Sequence, residues 1–211
     1  AQSVNISPDP LNLGHYRFIR TAPIVFSPVD NQTLYYAGNV LFKTRDRGNS
    51  WQVISPDLTR KTYDVADCIG VYPKADMKDM PARGVIYTIA PSPLDSNLLW
   101  VGTDDGLIQV TQDGGISWDN VTPPGMTSWS KVSLMDASHT DKRTAYAAVN
   151  RIRLDDNHPH IYRTRDGGAT WQEIVTGLPD DPINVVKEDP KQPGLLFAGS
   201  ERCTYVSFDD G

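Results

Sequence analysis

The sequence has little cysteine and none of the marks of a membrane or nucleic-acid protein. Its two cysteines, Cys68 and Cys203, stand far apart, and no CxxC pair accompanies them. A metal held by sulfur is therefore not expected. Two free thiols are the first reading; a disulfide would suit an exported protein, but the sequence does not establish one. No run of about 18 apolar residues is present, so no helix is expected to span a membrane. No Lys/Arg cluster stands out against a net charge of -6, which argues against a nucleic-acid partner. No stretch holds a helical period, and neither cofactor nor metal is expected. There is no signal peptide, yet the chain begins Ala1-Gln2-Ser3 without Met, so a leader or a longer N-terminal portion is expected to be missing. With 211 residues, 22% charged, and a mean hydropathy of -0.41, the chain reads as a soluble globular protein able to bury a sizeable core.

What is present is a repeat. Thr164-Arg165-Asp166-Gly167-Gly168-Ala169-Thr170-Trp171 recurs as Thr111-Gln112-Asp113-Gly114-Gly115-Ile116-Ser117-Trp118 and as Thr44-Arg45-Asp46-Arg47-Gly48-Asn49-Ser50-Trp51. A further copy, Ser207-Phe208-Asp209-Asp210-Gly211, stops before its Trp. The shared pattern is [Ser/Thr]-x-Asp-x-Gly-x-[Ser/Thr]-Trp, and internal repeats are read before anything else. Each copy follows an apolar or β-branched run, and each full copy leads into another, so the repeat is the turn of a β-hairpin. Asp46, Asp113, Asp166 and Asp209 can accept N–H bonds within the turn. Gly48, Gly115, Gly168 and Gly211 supply a positive φ. Trp51, Trp118 and Trp171 bury a large ring beside the next strand. Three carboxylates in series could also suggest calcium or catalysis, but turn-holding explains them better.

This pattern resembles the Asp-box, or BNR repeat, of sialidases, xyloglucan-cleaving glycosidases, sortilin-type receptor propellers and photosystem assembly factors. The resemblance runs from about Thr21 onward. It is nearest to large bacterial secreted proteins described as BNR-repeat glycosyl hydrolases or sortilin-like, through stretches such as Phe42–Gly48, Ile54–Thr59 and Trp100–Gly106. It implies an all-β fold, a β-propeller of four-stranded antiparallel blades. It also implies a secreted or periplasmic location.

Taken in order, residues 1–20 are an irregular lead-in, and four units follow at about 21–56, 84–122, 131–176 and 182–211, with a long connection at 57–83. Each unit opens with an innermost strand: Ile24–Phe26, Val85–Ile89, Val132–Met135 and Ile183–Val186. Polar turns such as Ser27-Pro28-Val29-Asp30 and Ser92-Pro93-Leu94-Asp95 lead to a second strand. The fourth unit lacks its last strand, so about four blades are expected, the last incomplete. Open edges and an apolar flank then need a cover: the missing remainder of a parent chain, a second copy, or another protein.

Strand alternation puts the repeated turns and the Ser-Pro-x-Asp turns on one face and the long irregular loops on the other, where binding usually lives. That second face should collect Arg17 and Arg20, the 57–83 connection, the turn Thr103-Asp104-Asp105-Gly106, the link Pro123–Trp129, and the insertion Asn150–His160. The insertion offers Arg151, Arg153, Asp155, Asp156 and His158 either as a ligand site or as a solvated loop with internal ion pairs. Asp104 and Asp105 are candidate catalytic carboxylates, or simply turn formers. Trp129 could stack on a sugar ring, or pack in a core. Sialidases share an Arg-Ile-Pro stretch; here Arg20-Thr21-Ala22-Pro23 departs from it, and no Tyr can be assigned as nucleophile. Nor can the paired aspartates of the xyloglucan-cleaving enzymes be matched.

Two functions are expected from these observations. One is a carbohydrate-active protein, a glycosidase or its relic, acting on extracellular polysaccharide. The other is a non-enzymatic, sortilin-like propeller that binds a protein or peptide. The first needs two converging carboxylates; the second needs an apolar or strand-edge surface.

Overall fold

The computed structural model describes residues 3–8, 15–62 and 82–211. Cys68 and most of the 57–83 connection lie outside the described residues, as do parts of the lead-in. The strands form four antiparallel sheets, each made of consecutive strands. The first holds β1 (Ile24–Phe26), β2 (Leu34–Ala37), β3 (Leu41–Thr44) and β4 (Gln52–Val53). The second holds β5 (Ile86–Pro91), β6 (Leu99–Thr103), β7 (Ile108–Thr111) and β8 (Asp119–Asn120). The third holds β9 (Lys131–Ala137), β10 (Ala145–Asn150), β11 (Ile161–Thr164) and β12 (Gln172–Glu173). The fourth has only β13 (Ile183–Glu188), β14 (Leu196–Ser200) and β15 (Thr204–Ser207). Among the described residues there is no α-helix; a 3-10 turn at Ile152–Leu154 lies in the insertion. The chain is thus a run of propeller blades, the last one short of a strand.

The register shows that the blades are copies of one another. Leu34 faces Thr44, Leu99 faces Thr111, Ala145 faces Thr164 and Leu196 faces Ser207. One residue further along the second strand come Tyr35, Trp100, Tyr146 and Phe197. Alternation turns these four toward the following blade and their neighbours toward the preceding one. Three apolar clusters result, and each lies between two blades. Tyr35, Ala37 and Leu41 meet Ile86, Ile89, Leu99 and Val101. Trp100, Ile108 and Val110 meet Val132, Met135, Ala145 and Ala147. Tyr146, Ala148 and Ile161 meet Ile183, Val186, Leu196 and Ala198. At about 1.5–3 kcal/mol for each large side chain buried, these interfaces are the core of the molecule. Among the described residues no blade has an apolar cluster of its own.

The two outward flanks of the run differ. Phe42 is covered by the lead-in, with Tyr16 edge-on at 5.4 Å and Phe18 stacked at 5.8 Å between ring centroids. Tyr36 is flanked by Phe18 and Trp51. Close approach sets the sequence here: a Cβ at Gly38 would sit 2.3 Å from the Arg17 carbonyl oxygen. Ile24 and Phe26, on the innermost strand, remain exposed. At the other end Val185, Phe197, Val206 and Phe208 are all exposed.

The repeated turn joins the third strand of each blade to the fourth. In the second copy the Thr111 hydroxyl donates to Asp113 (2.8 Å) and accepts from the Gly115 N–H (2.9 Å). The Ser117 hydroxyl and N–H donate to the same carboxylate at 2.6 and 2.9 Å. The copies at 44–51 and 164–171 repeat these bonds. The Ser50 hydroxyl, the Ser50 N–H and the Thr44 hydroxyl lower the Asp46 pKa to about 2, and Thr170 in the same role brings Asp166 to about 2. Two successive residues take positive φ, and the first need not be glycine: Arg47 is at 62° and Asp210 at 68°.

The indole does more than close its own hairpin. Trp51 Nε1 donates to the Ile6 carbonyl (2.7 Å), Trp118 Nε1 to that of Ile54 (3.0 Å), and Trp171 Nε1 to that of Val121 (2.7 Å). Ile54 and Val121 lie just beyond the fourth strand of the preceding blade, so each ring clasps backward across the interface. The turn glycine sits against the same residues. A Cβ at Gly115 would lie 2.5 Å from the Ile54 carbonyl oxygen, and one at Gly168 2.7 Å from the Val121 side chain.

Candidate functional site

The second face carries a row of charged groups, built where second-to-third-strand turns meet the links between blades. Arg17 starts it. Its backbone N–H donates to Asn39 Oδ1 (2.8 Å), Nε to the Gly84 carbonyl (3.1 Å), and its terminal nitrogen to Asp57 and Thr59 (2.8 Å each). Asp57 also accepts from Asn39 Nδ2 (2.9 Å). Burial alone would raise the Asp57 pKa, but hydrogen bonds from Thr59, Asn39 and Arg17 bring it below the usual carboxylate range. Arg20 is exposed, and no ion pair or hydrogen bond among the described residues ties its side chain to this row.

Asp104 and Asp105 occupy the tight turn after β6, and their side chains have different surroundings. Asp105 is 2% exposed. It accepts from the Thr103 hydroxyl (2.6 Å) and the Arg60 N–H (2.9 Å). Arg60 then reaches the Asp105, Gly106 and Met126 carbonyls at 2.7, 3.0 and 3.1 Å, tying the turn to the Pro123–Trp129 link. Asp104 is half-buried. Its Oδ1 accepts the Val85 N–H (2.9 Å), and its Oδ2 lies 3.2 Å from Arg153. Arg153 comes from the insertion of the next blade and keeps 47% of its side chain exposed. Trp129 is half-buried, at φ 73°, between the buried Ser128 and Ser130.

The insertion is organised on Asp156. Arg151 lies 3.3 Å from its carboxylate, His158 Nδ1 2.8 Å and His160 Nε2 3.1 Å, while the other His160 nitrogen meets Glu173 at 2.7 Å. Burial opposes the charge on Asp156, but bonds from His158 and His160 prevail and hold its pKa at about 2. The bond to Asp156, with the nearby Asp180 charge, raises the His158 pKa. Asp155 is exposed and closes the 3-10 turn in a left-handed conformation, φ 59°. Among the described residues no group of three or more His, Cys, Asp and Glu side chains is arranged to hold a metal ion.

The structure thus brings Asp104 and Arg153 together, and Arg151, Asp156 and His158 together. Arg17 joins a neighbouring network through Asp57, and Arg20 stays apart. Asn39, Asp57, Thr59, Arg60 and Glu173 were not singled out by sequence reasoning, although Asp57, Thr59 and Arg60 lie in the 57–83 connection that it put on this face. Asn39 also had a signal, since it occupies the turn position that Asp104 fills one blade later. A second missed pair lies at the opposite end of the innermost strands. Asp136 accepts from Lys187 Nζ (2.6 Å) and the Glu188 N–H (2.9 Å), and Glu188 accepts from Ser138 and the His139 N–H at 2.7 Å each. Both carboxylates are buried.

Fold and site together define a β-propeller segment with a polar, ion-paired loop face. No family model matches the chain. It is 23% identical to the xyloglucanase Xgh74A of Acetivibrio thermocellus over 96% of its own length and 24% of that protein. It is also 23% identical to an oligoxyloglucan-reducing end-specific xyloglucanase of Emericella nidulans, over 90% of this chain and 23% of the other. Among solved structures, an ancestral GH74 enzyme superposes with a TM-score of 0.62 at 20% identity, covering 94% of this chain and 24% of that one. A chain of the COPII outer coat vertex superposes with a TM-score of 0.58 at 10% identity, over 88% of this chain and 46% of that one. The chain spans about a quarter of the length of the curated relatives it matches. The structural likenesses establish the propeller fold, which enzymes and coat proteins share.

Proposed function

We propose that the chain is part of a carbohydrate-active propeller, a glycoside hydrolase or a carbohydrate-binding relic of one, acting on a polysaccharide outside the cytoplasm in a secreted or periplasmic protein. The observation that carries this reading is the similarity to xyloglucan-cleaving enzymes over 96% of the chain. The loop face carries groups suited to such a ligand. Asp104 and Arg153 present an acceptor and a donor side by side, with Arg17, Arg151, Asp156 and His158 along the same rim and Trp129 as a stacking surface. If the protein is an O-glycosyl hydrolase, Asp104 is the better acid–base candidate, because the carboxylate of Asp105 is buried and bonded to Thr103 and Arg60. A second carboxylate at about 5–10 Å is then required, and it can come from another part of a longer protein.

Calorimetric titration of the chain with xyloglucan oligosaccharides tests the proposal. The expected result is binding that weakens about tenfold or more in Asp104→Asn and Arg153→Ala, in line with the loss of a charge-assisted pair. Absence of binding to any neutral or acidic glycan would overturn it.

The sortilin-like reading, a propeller that binds a peptide without cleaving a glycan, has one observation in its favour. The fourth sheet ends at β15, which pairs with β14 and carries no strand on its outer edge among the described residues. A sheet edge is a common seat for extended peptides.

A further inference from the structure

The face that carries the repeated turns holds a cavity of about 430 Å³ between the second and third blades. Its lining takes Asp95, Trp100 and Gln112 from the second blade and Lys142, Arg143 and Gly167 from the third. Trp100 is 0% exposed, and its Nε1 is buried with no hydrogen-bond partner among the described residues. A buried donor left unpaired is costly.

The next interface shows what the equivalent position holds when it is filled. Trp100 faces Val110 across the second blade as Tyr146 faces Arg163 across the third. The repeat aligns Gln112 with Arg165 and Gly167 with Asp210. The backbone agrees: the Gly167 N–H donates to the Arg143 carbonyl (2.9 Å), and the Asp210 N–H to that of Gly194 (2.8 Å). Between the third and fourth blades the Asp210 carboxylate accepts from the Tyr146 hydroxyl (2.7 Å) and pairs with Arg163 (2.9 Å) and Arg165. Between the second and third, Gly167 brings no carboxylate, and a Cβ built on it would meet nothing within 4 Å. The cations have changed sides: Lys142 and Arg143 stand where the fourth blade has Pro193 and Gly194. Lys142 gives one bond to Asp95 (3.0 Å) and Arg143 one to the Asp166 carbonyl (3.4 Å), and each keeps further N–H groups. The Asp166 carboxylate is taken up by Thr164 and Thr170.

We propose that this cavity binds a small organic carboxylate, whose carboxyl group takes the place that Asp210 fills in the next interface. Lys142 and Arg143 supply charge-assisted bonds to it, and Trp100 Nε1 is the buried donor that it satisfies. The volume is in the range of small-molecule sites, about 300–1,000 Å³, which admits an acid the size of a monosaccharide. A sugar acid and a simple aliphatic acid share this chemistry. The cavity lies on the opposite face from Asp104 and Arg153, so this proposal and the carbohydrate one stand or fall separately.

The test is calorimetric titration of the 211-residue chain with sodium glucuronate and, separately, with sodium propionate. The expected result is saturable 1:1 binding in the millimolar range, weakened at least about tenfold in Lys142→Ala and in Arg143→Ala, and unchanged in Asp104→Asn. Tighter binding of glucuronate assigns the site to sugar acids; equal binding of the two assigns it to the carboxylate alone. Gly167→Asp should abolish binding, because it installs the missing carboxylate in the chain itself. Asp210 takes φ 68° at the equivalent position, so the turn accepts the change. Three outcomes would overturn the proposal: neither acid binds the parent chain, a folded Gly167→Asp binds as well as the parent, or sodium sulfate displaces both acids at equal concentration. The last would reduce the cavity to a patch of unselective positive charge. Lys142 keeps 55% of its side chain exposed, so its variant decides the matter if Gly167→Asp fails to fold.

Discussion

The first and the last blade share one register but differ in what covers their outward flank. Tyr35, Trp100 and Tyr146 are 2%, 0% and 1% exposed because a further blade packs over each; Phe197, in the same position, is 39% exposed. At the opposite end, Tyr16 and Phe18 fold back over Phe42, which is 1% exposed with no blade among the described residues packed on that flank. The difference shows that a blade is half of two interfaces, not a unit with its own interior. Two aromatic rings from an irregular segment are enough to finish one such interface.

Pairs of substitutions at equivalent positions test this. The largest effect is expected for Trp100→Ala, about 3–5 kcal/mol, as for a buried aromatic that leaves a cavity. Phe197→Ala should cost about 1 kcal/mol or less. Urea unfolding of both variants is the measurement, and equal losses would break the comparison. Next comes Phe18→Ala, which uncovers Phe42 and should cost about 1–3 kcal/mol, read as a fall in Tm. If Phe18→Ala leaves Tm unchanged, the lead-in does not serve as a cover.

Acid should act on all full repeats alike. The Asp46 and Asp166 pKa values are held at about 2, against an ordinary 3.8. A lowered pKa contributes stability that is complete above the unfolded value and lost as pH falls through the folded one. Unfolding midpoints should therefore drop between about pH 4 and pH 2, and Asp166→Asn should flatten part of that slope. A pH-independent midpoint in this window would remove the structural role of the carboxylates. The smallest expected change in stability is for Phe208→Ser, within about 0.5 kcal/mol, since Phe208 is 82% exposed. Its effect should appear as reduced self-association in sedimentation.

Much of the fold was legible because local chemistry set it. The repeated Thr-x-Asp-x-Gly marked the third-strand turns, and the Ser-Pro-x-Asp stretches marked the first-strand turns. The innermost strands began within two residues of their expected starts. What was not legible is contact between blades. Nothing in the order of residues says that Trp118 will hold Ile54, or that Arg47 and Asp210 will share the positive φ of the glycines beside them. The loop face was found only in outline. Its extent followed from strand alternation, but the Arg60–Asp105 and Arg153–Asp104 pairings join residues more than forty positions apart, where periodicity carries no information. Asp136 lay in a strand whose other residues read as apolar core.

The indole clasp always points the same way along the chain. Trp118 reaches back to Ile54 and Trp171 back to Val121; none of the three reaches forward. On a chain emerging from the ribosome, each blade therefore completes its turn when its acceptor carbonyl has already been made. The latch works as a ratchet set by the direction of synthesis. The most recently made blade is always the one whose outward flank waits for the next to be made.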